Sequence, residues 1–341
     1  MEGDDEAMMI LVTGGAGYIG SHTCVELLTA GHDVVATDIV VVDNFCNSDM
    51  SAIEGIKKIT GRDFPFYQID LRDEDALDKV FAAHKIDCII HFAGLKAVGE
   101  SVAMPGEYYD NNINSTLNLC KAMKKHGVTK LIFSSSATVY RGDNPMPLTE
   151  DGELGAINPY GWSKFMCEQI LADHAKSEDW SIVLLRYFNP VGAHASGIIG
   201  EKPRGIPNNL VPFVVQTVQG IHKELVVFGD DYDTPDGTCI RDYIHVVDLA
   251  MGHVKAIGYC NKNTGCEVFN LGTGSGSSVL EVVETFKTAN GVNVPYSVGP
   301  RRPGDNPVSY SSTAKAEKIL GFKATKTLDD MCRDSWNFVA K

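Results

Sequence analysis

From Met9 onward, short runs of branched apolar residues alternate with longer stretches whose apolar positions recur at helical spacing. "MILVTGG" predicts a strand, and "IGSHTCVELLTAG" a helix stopped by Gly31. "DVVAT…VVVD" predicts a second strand, "PFYQIDL" a third, and 73–84 a helix. "DCIIHFAG" follows as a fourth strand, 109–126 as a helix, "KLIFSSSA" as a fifth strand, and "SIVLLRYFNP" as a sixth. Strands this rich in Val, Ile and Leu, separated by helices, belong to a parallel sheet covered on both faces. The expected class is therefore α/β, a doubly wound parallel (Rossmann) sheet. Past Asn189 the rhythm breaks in the Gly/Pro-rich "AHASGIIGEKPRGIPNN". Shorter strands such as "LVVFG" and "EVFNLG" then mix with helices as a smaller C-terminal α/β lobe. The expected units are 8–189 and 190–341, with some segments of the second returning to the first sheet, and 1–7 as a disordered extension.

The turn after the first strand reads "TGGAGYIG". Gly14, Gly17 and Gly20 are spaced for a tight turn, close backbone approach to a pyrophosphate, and close helix–sheet packing. The N–H groups and dipole of the following helix favour an anion there. A dinucleotide site also needs an acid at the end of the second strand, and "VVATDIVVVDN" offers Asp38 and Asp43. Asp38 has the better spacing, but choosing it strands 39–42 in a loop. Choosing Asp43 puts Asp38 inside the strand, where burial would cost roughly 2–7 kcal/mol unless a bulge exposed it. Asp43 is favoured, with Asp38 as the alternative. Either acid would accept from an unphosphorylated ribose and repel a 2′-phosphate, which favours NAD over NADP.

"NPYGWSKFMCEQI" begins with a capping Asn158 and a Pro159 suited to the first helical position. Tyr160 and Lys164 then lie one turn apart, with Cβ atoms ~5–6 Å apart. Such a pair is usually an ordinary helix surface, but "FSSSATVY" places Ser134, Ser135 and Ser136 at the strand end where doubly wound sheets bind ligands. A free phenol has a pKa of ~10. A lysine charge at ~6 Å and an effective dielectric of ~20 is worth about 2.8 kcal/mol, or about 2 units. That leaves the phenol mostly protonated at neutral pH. A second cation is required, and oxidised nicotinamide would supply it, making Tyr160 a base near pH 7.

Charge narrows the partners. Lys plus Arg number 30 and Asp plus Glu 44, a net charge of −14. Such a chain is a poor general binder of nucleic acid or of anionic membranes. The nine cysteines form no C-x-x-C pair, so reduced thiols in the cytoplasm, and no metal, are expected. "MEGDDEAMM" lacks the apolar core of a signal peptide, and no apolar run reaches ~20 residues.

In this order, "TGGAGYIGSH", "HFAGLKAVGES", "YYDNN", "FSSSATVY", "NPYGWSK", "LLRYFNPVGAH", "GIPNNL" and "RDYIHVVDLA" resemble the UDP-galactose 4-epimerases of the extended short-chain dehydrogenase/reductase group. The resemblance runs from Met9 to about Asn337. It implies an NAD that stays bound through a reversible oxidation at C4 of a UDP-hexose. The 4-keto sugar rotates and is reduced from its other face. Tyr160 would move the 4-hydroxyl proton, Lys164 would assist it and bond the nicotinamide ribose, and Ser136 would bond the sugar near O4. The resemblance further implies cofactor contacts from Tyr18, Ile19, Asp43, Asn44, Asn47, Ser48, Asp70, Leu71, Phe92, Ala93, Gly94, Lys96, Asn111, Ser134 and Tyr187, besides the loop glycines. Substrate contacts would come from Lys96, Phe188, Asn189, Asn209, Leu210, Val226, Phe228, Arg241, Arg302 and Asp305, and a homodimer would form through 109–125 and 162–176. Asp70 follows the third strand and could meet the adenine amino group. Arg241 and Arg302 suit a diphosphate, although Arg241 could instead pair with Asp242 or Asp248. His245 reads as structural.

The chain departs from the family pattern by about five extra residues between Gly31 and Asp43, by one in "VYRGDNP", and by Trp162, expected to face the smaller lobe. In "RRPGDNPVSY", Ser309 stands where relatives restricted to glucose and galactose resemble a tyrosine pattern. The space freed predicts that UDP-GlcNAc and UDP-GalNAc are also interconverted. Two rival readings compete. A nucleotide-sugar 4,6-dehydratase would need a carboxylate after Ser136, where Ala137, Thr138 and Val139 stand. A non-catalytic NAD sensor would have no use for the Tyr–Lys pair.

Overall fold

The computed structural model describes residues 7–29, 37–302 and 304–340. The expected stop at Gly31, the start of the second strand before Thr37 and nearly all of the extension 1–7 lie outside the described residues. Six strands follow the predicted order: β1 Met8–Thr13, β2 Thr37–Asp43, β3 Phe66–Gln68, β4 Cys88–His91, β5 Lys130–Ser136 and β6 Ser181–Tyr187. The helices are α1 Tyr18–Thr29, α2 Met50–Thr60, α3 Glu74–Ala83, α4 Val98–Ala103, α5 Pro105–His126, α6 Pro159–Ser177, α7 Leu210–Val218, α8 Val246–Cys260, α9 Val279–Asn290 and α10 Leu328–Val339.

The central sheet is parallel, with spatial order β3, β2, β1, β4, β5, β6 and then the strand Gly265–Leu271. The order reverses between β1 and β4, which opens a crevice at the carboxyl ends of those strands. Alternation along each strand feeds two cores. Ile10, Val12, Val41, Ile90, Ile132 and Val183 pack under α1, α2 and α8. Leu11, Val40, Val42, Ile89, Leu131 and Phe133 pack under α3, α5 and α6. Each such aliphatic side chain contributes about 1.5–3 kcal/mol when buried.

Three details differ from expectation. The "SIVLLRYFNP" strand ends at Tyr187, and Asn189–Val191 pairs with Tyr243–His245 in a separate two-stranded sheet. Pro190 has no N–H to donate, so it could not have continued a strand flanked on both sides. The "EVFNLG" strand belongs to the large sheet, at its edge beside β6. The argument that exposing Asp38 needs a bulge fails: β1 and β2 pair in unbroken register from Met8↔Thr37 to Thr13↔Val42. The Asp38 side chain is still 45% exposed, near the start of β2, and is ion-paired with Arg62.

The smaller lobe packs α7, α9 and α10 around Val214, Leu225, Val282 and Phe286. It carries a two-stranded sheet, Leu225–Phe228 with Tyr296–Gly299, and a three-stranded one of Ser277–Ser278, Ile240–Arg241 and Val308–Ser309. Among the described residues, no helix is long and apolar enough to cross a membrane.

Candidate active site

The glycine turn has the geometry its sequence predicts. Gly14 has φ +68°, and a Cβ there would lie 2.7 Å from the Ala93 nitrogen. A Cβ on Gly20 would lie 2.3 Å from the Gly14 carbonyl oxygen, so only glycine lets α1 start this close to the turn. At Gly17 the only atom among the described residues that a Cβ would meet within 4 Å is that same carbonyl oxygen, at 3.1 Å. The backbone is thus bare on one side at the start of α1, where Tyr18 and Ile19 open the helix. These residues fit a pyrophosphate.

Asp43 closes β2 beside this turn. Its Oδ2 accepts from Ala16 N–H at 3.1 Å, and its Oδ1 accepts from Phe45 N–H at 2.8 Å and from the Ser48 hydroxyl at 2.7 Å. It is 8% exposed and next to the loop, whereas Asp38 sits at the far end of the strand. The structure brings Asn44 to Asp70 at 3.2 Å. The carboxylate of Asp70 also accepts from both arms of the Arg72 guanidinium, which, with its other neighbours, holds its pKa down at about 2. Leu71 is buried beside it, and Asn47 is exposed on the turn after β2.

At the opposite end of the crevice, Asn158 caps α6 by accepting from Gly161 N–H at 2.8 Å, with Pro159 in the first turn, as expected. A Cβ on Gly161 would lie 2.7 Å from the Thr138 carbonyl oxygen, so α6 starts hard against the turn after β5. Ser136 ends β5 and caps that turn, accepting from Thr138 N–H at 3.2 Å. This contact brings Tyr160 to Ser136. Tyr160 is 9% exposed, and burial raises its pKa while the hydrogen bond with Ser136 lowers it.

Lys164 is 5% exposed and donates to the Ser134 carbonyl oxygen at 2.8 Å. Its ammonium is 4.8 Å from the Phe133 ring centroid and 3.7 Å from where a Cβ on Gly94 would be. Burial lowers its pKa to about 8, with the nearby Cys167 and Glu168 pulling the other way, so it is mostly charged at neutral pH. In the folded chain burial raises the Tyr160 phenol, and the hydrogen bond with Ser136 opposes that rise.

Ser134 hydrogen-bonds the Tyr187 hydroxyl, so β5 and β6 jointly wall this end. Phe92 lies 4.7 Å from the His253 ring, which also flanks Tyr187. Asn111 is half-buried on α5. Its neighbour Asn112, which sequence reasoning missed, is the buried one. Its side-chain amide donates to Ser163 Oγ at 2.8 Å and its carbonyl oxygen accepts from Leu95 N–H at 2.8 Å. The third serine, Ser135, is structural: it donates to Glu168, which is buried against Arg186.

The smaller lobe gathers most of the expected substrate residues. Arg241 donates to the Ile240 and Asn306 carbonyl oxygens, both at 2.8 Å, and lies 3.5 Å from Asp305. Arg302 donates to both oxygens of Asp305, at 2.9 and 3.1 Å, with its guanidinium 5.7 Å from the Phe228 ring. Neither Asp242 nor Asp248 pairs with Arg241. Asp242 accepts from Thr273, Gly274 and Ser311, and Asp248 from Thr325 and Lys326. Val226 and Phe228 share the exposed face of their strand, and Ser309 pairs in register with Arg241. Phe188 is buried, and the Asn189 side chain donates to the Asp242 carbonyl oxygen at 3.1 Å. Asn209 precedes Leu210 at the start of α7 and donates to Glu201 at 3.4 Å. Lys96 donates to the same carboxylate at 3.0 Å. Glu201 joins the two and was missed, because an acid in a Gly/Pro-rich loop carries no spacing signal. His245 is buried, with one ring nitrogen capping α8 and the other 3.2 Å from Asp334, a structural role as expected. Trp162 is 38% exposed and its ring is 5.7 Å from that of Phe165.

The model of the NAD dependent epimerase/dehydratase family matches residues 10–272. The UDP-glucose 4-epimerase of Bacillus subtilis (strain 168) is 57% identical over 332 residues, covering 97% of this chain and 96% of that one. The structure of a Bifidobacterium longum UDP-glucose 4-epimerase in complex with NAD+ and UDP superposes with a TM-score of 0.92 at 55% identity, covering 98% of both chains. A UDP-Glc/GlcNAc 4-epimerase from Campylobacter jejuni superposes at 0.85 with 37% identity, covering 97% of this chain and 99% of that one. With a glycine turn shaped for a dinucleotide, a buried Tyr–Lys–Ser group across the crevice and relatives aligned along almost its whole length, the chain belongs to the NAD-dependent epimerase/dehydratase family, among its UDP-glucose 4-epimerases.

Proposed function

We propose that this isomerase interconverts UDP-glucose and UDP-galactose, with Tyr160, Lys164 and Ser136 as its catalytic residues. The observation that carries the assignment is the convergence of all three at the end of β5, on the crevice opened by the glycine turn. Bound NAD supplies the acceptance and return of hydride at the sugar C4. Tyr160 takes the 4-hydroxyl proton and later gives it back. Ser136, already within hydrogen-bonding reach of the phenol, orients the 4-hydroxyl. Lys164 stays cationic near neutral pH and favours the phenolate as it forms.

The unit 8–189, with α8 and Gly265–Leu271 added to its sheet and core, would hold the cofactor. Gly14, Gly17, Gly20, Tyr18 and Ile19 would hold the pyrophosphate, Asp43 the adenosine ribose, and Asp70 the adenine end. The lobe 190–341 would hold the UDP-hexose. Arg241 and Arg302, now paired with Asp305, would take the diphosphate, and Val226 and Phe228 the nucleoside. With its far end held in this way, the sugar can turn between the two proton transfers without leaving. The half-buried Ser309 beside Arg241 favours room for a 2-acetamido group. The similarity to the Campylobacter enzyme with the UDP-Glc/GlcNAc name supports the same extension.

The test is to offer UDP-galactose to the purified protein without added NAD. UDP-glucose should appear, and UDP-GalNAc offered likewise should yield UDP-GlcNAc. Absence of the first product removes the assignment, and absence of only the second removes the Ser309 extension.

Val98, Val102, Met104, Trp162 and Met166 on and between α4, α5 and α6 are 38–65% exposed. This apolar face, formed by α4, Met104 and α6, supports a homodimer in which α6 takes part, and gives Trp162 a role other than facing the smaller lobe. A monomer by sedimentation at micromolar concentration would exclude it. Nine free thiols, seven of them buried, suit a reducing, cytoplasmic setting.

A further inference from the structure

Apart from Glu201, the segment 194–205 has no role in the assignment above, yet it is fastened to α2, to α10 and to the turn after β2. Ile199 is 3% exposed and packs in the core under α1 and α2. A Cβ on Gly55 of α2 would stand 2.5 Å from Ile199 Cγ2, so that glycine is what lets the segment settle on the helix. A Cβ on Gly200 would stand 2.5 Å from the Phe338 ring, which seats the other side on α10.

Beyond this seat the segment reaches the turn after β2. Arg204 Nη1 donates to the carbonyl oxygens of Phe45 at 3.2 Å and Cys46 at 2.8 Å, and Nη2 donates to that of Ser48 at 2.6 Å. Lys202 Nζ donates to Ser51 Oγ at 3.0 Å. One guanidinium thus serves three carbonyls of a single turn. That turn needs holding, because Phe45 has φ +59°, a left-handed conformation that a bulky residue adopts only when its surroundings fix it. Asp43 fixes the turn from inside through Phe45 N–H and Ser48 Oγ. Arg204 fixes it from outside through the carbonyls.

We propose that residues 198–204 form a strap, fastened by Arg204, that holds the turn 44–48 in place and thereby slows departure of the bound dinucleotide. The inference rests on the assignment of Asp43, Asn44, Asn47 and Ser48 to the cofactor. Arg204 is a positioning residue, acting through the backbone of that turn. Its planar fork matters, since a lysine offers a compact charge that cannot serve three carbonyls in one plane.

The test uses the holoprotein and follows release of bound NAD into excess labelled NAD. Arg204→Gln should release it roughly 10-fold faster or more, since each charged hydrogen bond lost is worth about one to two factors of ten. Arg204→Lys should fall between wild type and Arg204→Gln, and turnover lost on dilution should return when NAD is added. Lys202→Ala, which leaves the fork intact, should speed release by a smaller factor, and it serves if Arg204→Gln does not fold. Release at the wild-type rate from both Arg204→Gln and Lys202→Ala would overturn the strap. A wild-type protein that binds no NAD would overturn the cofactor assignment itself, a result distinct from unchanged release.

Discussion

Tyr160→Phe is expected to lower turnover of UDP-galactose by about 10²–10⁴-fold, the usual worth of a positioned proton carrier. The substitution removes one oxygen and keeps the ring that fills the site. Tyr160 is 9% exposed at the start of α6 and in the company of Ser136, so its ring should stay seated. An interaction made only as the proton moves lowers kcat and kcat/KM together, whereas one made equally with bound substrate raises KM alone. The prediction is therefore a loss in kcat with KM nearly unchanged and with NAD still bound. Steady-state kinetics on the variant, with the cofactor measured after denaturation, separate the cases. Near-normal turnover would refute Tyr160 as the proton carrier.

The second large effect concerns stability. Arg186 on β6 and Glu168 on α6 are each 4% exposed and make a two-pronged contact, with distances of 2.6 and 2.9 Å. Ser135 donates to the same carboxylate, the Arg186 guanidinium stacks 4.8 Å from the Tyr140 ring, and Arg186 also donates to the Glu150 carbonyl oxygen. Arg186→Met leaves the Glu168 carboxylate buried without its cation. Breaking such a pair from one side costs about 3–5 kcal/mol. Denaturant unfolding at saturating NAD measures the loss, and a change below about 1 kcal/mol would contradict the account. Removing both partners, as Arg186→Met with Glu168→Leu, should cost less than Arg186→Met alone, because an apolar pair leaves no charge uncompensated.

Local signals carried much of the fold and site. The glycine turn, the Asn158–Pro159 start of α6 and the strand order through β6 follow from residues adjacent in sequence, and each is present in the structure. What was illegible depends on distant partners. Asp38 looked costly inside β2, but its position near the strand start and its pairing with Arg62 leave it half-exposed. Whether Arg241 paired with Asp242 or Asp248 was open, and those acids turn out to be occupied by loop N–H and hydroxyl groups 31 to 78 residues away. Ser135 and Ser136 are chemically identical neighbours. Only the alternation of the strand sends one to a buried ion pair and the other to the phenol. Spacing alone could not show the burial that raises the Tyr160 phenol, nor the Ser136 hydrogen bond that opposes it.

That imbalance is the centre of the account. Burial holds the Tyr160 phenol above its ordinary value, so it can act as a base near neutral pH only when a further positive charge joins Lys164. The direct measurement is tyrosinate absorbance against pH, as the difference between wild type and Tyr160→Phe. It should be taken once with NAD⁺ bound and once with NADH, whose nicotinamide ring is neutral. With NAD⁺ the phenol should titrate near neutral pH, and with NADH only above about 10. The same high titration point in both forms would contradict the proposed chemistry.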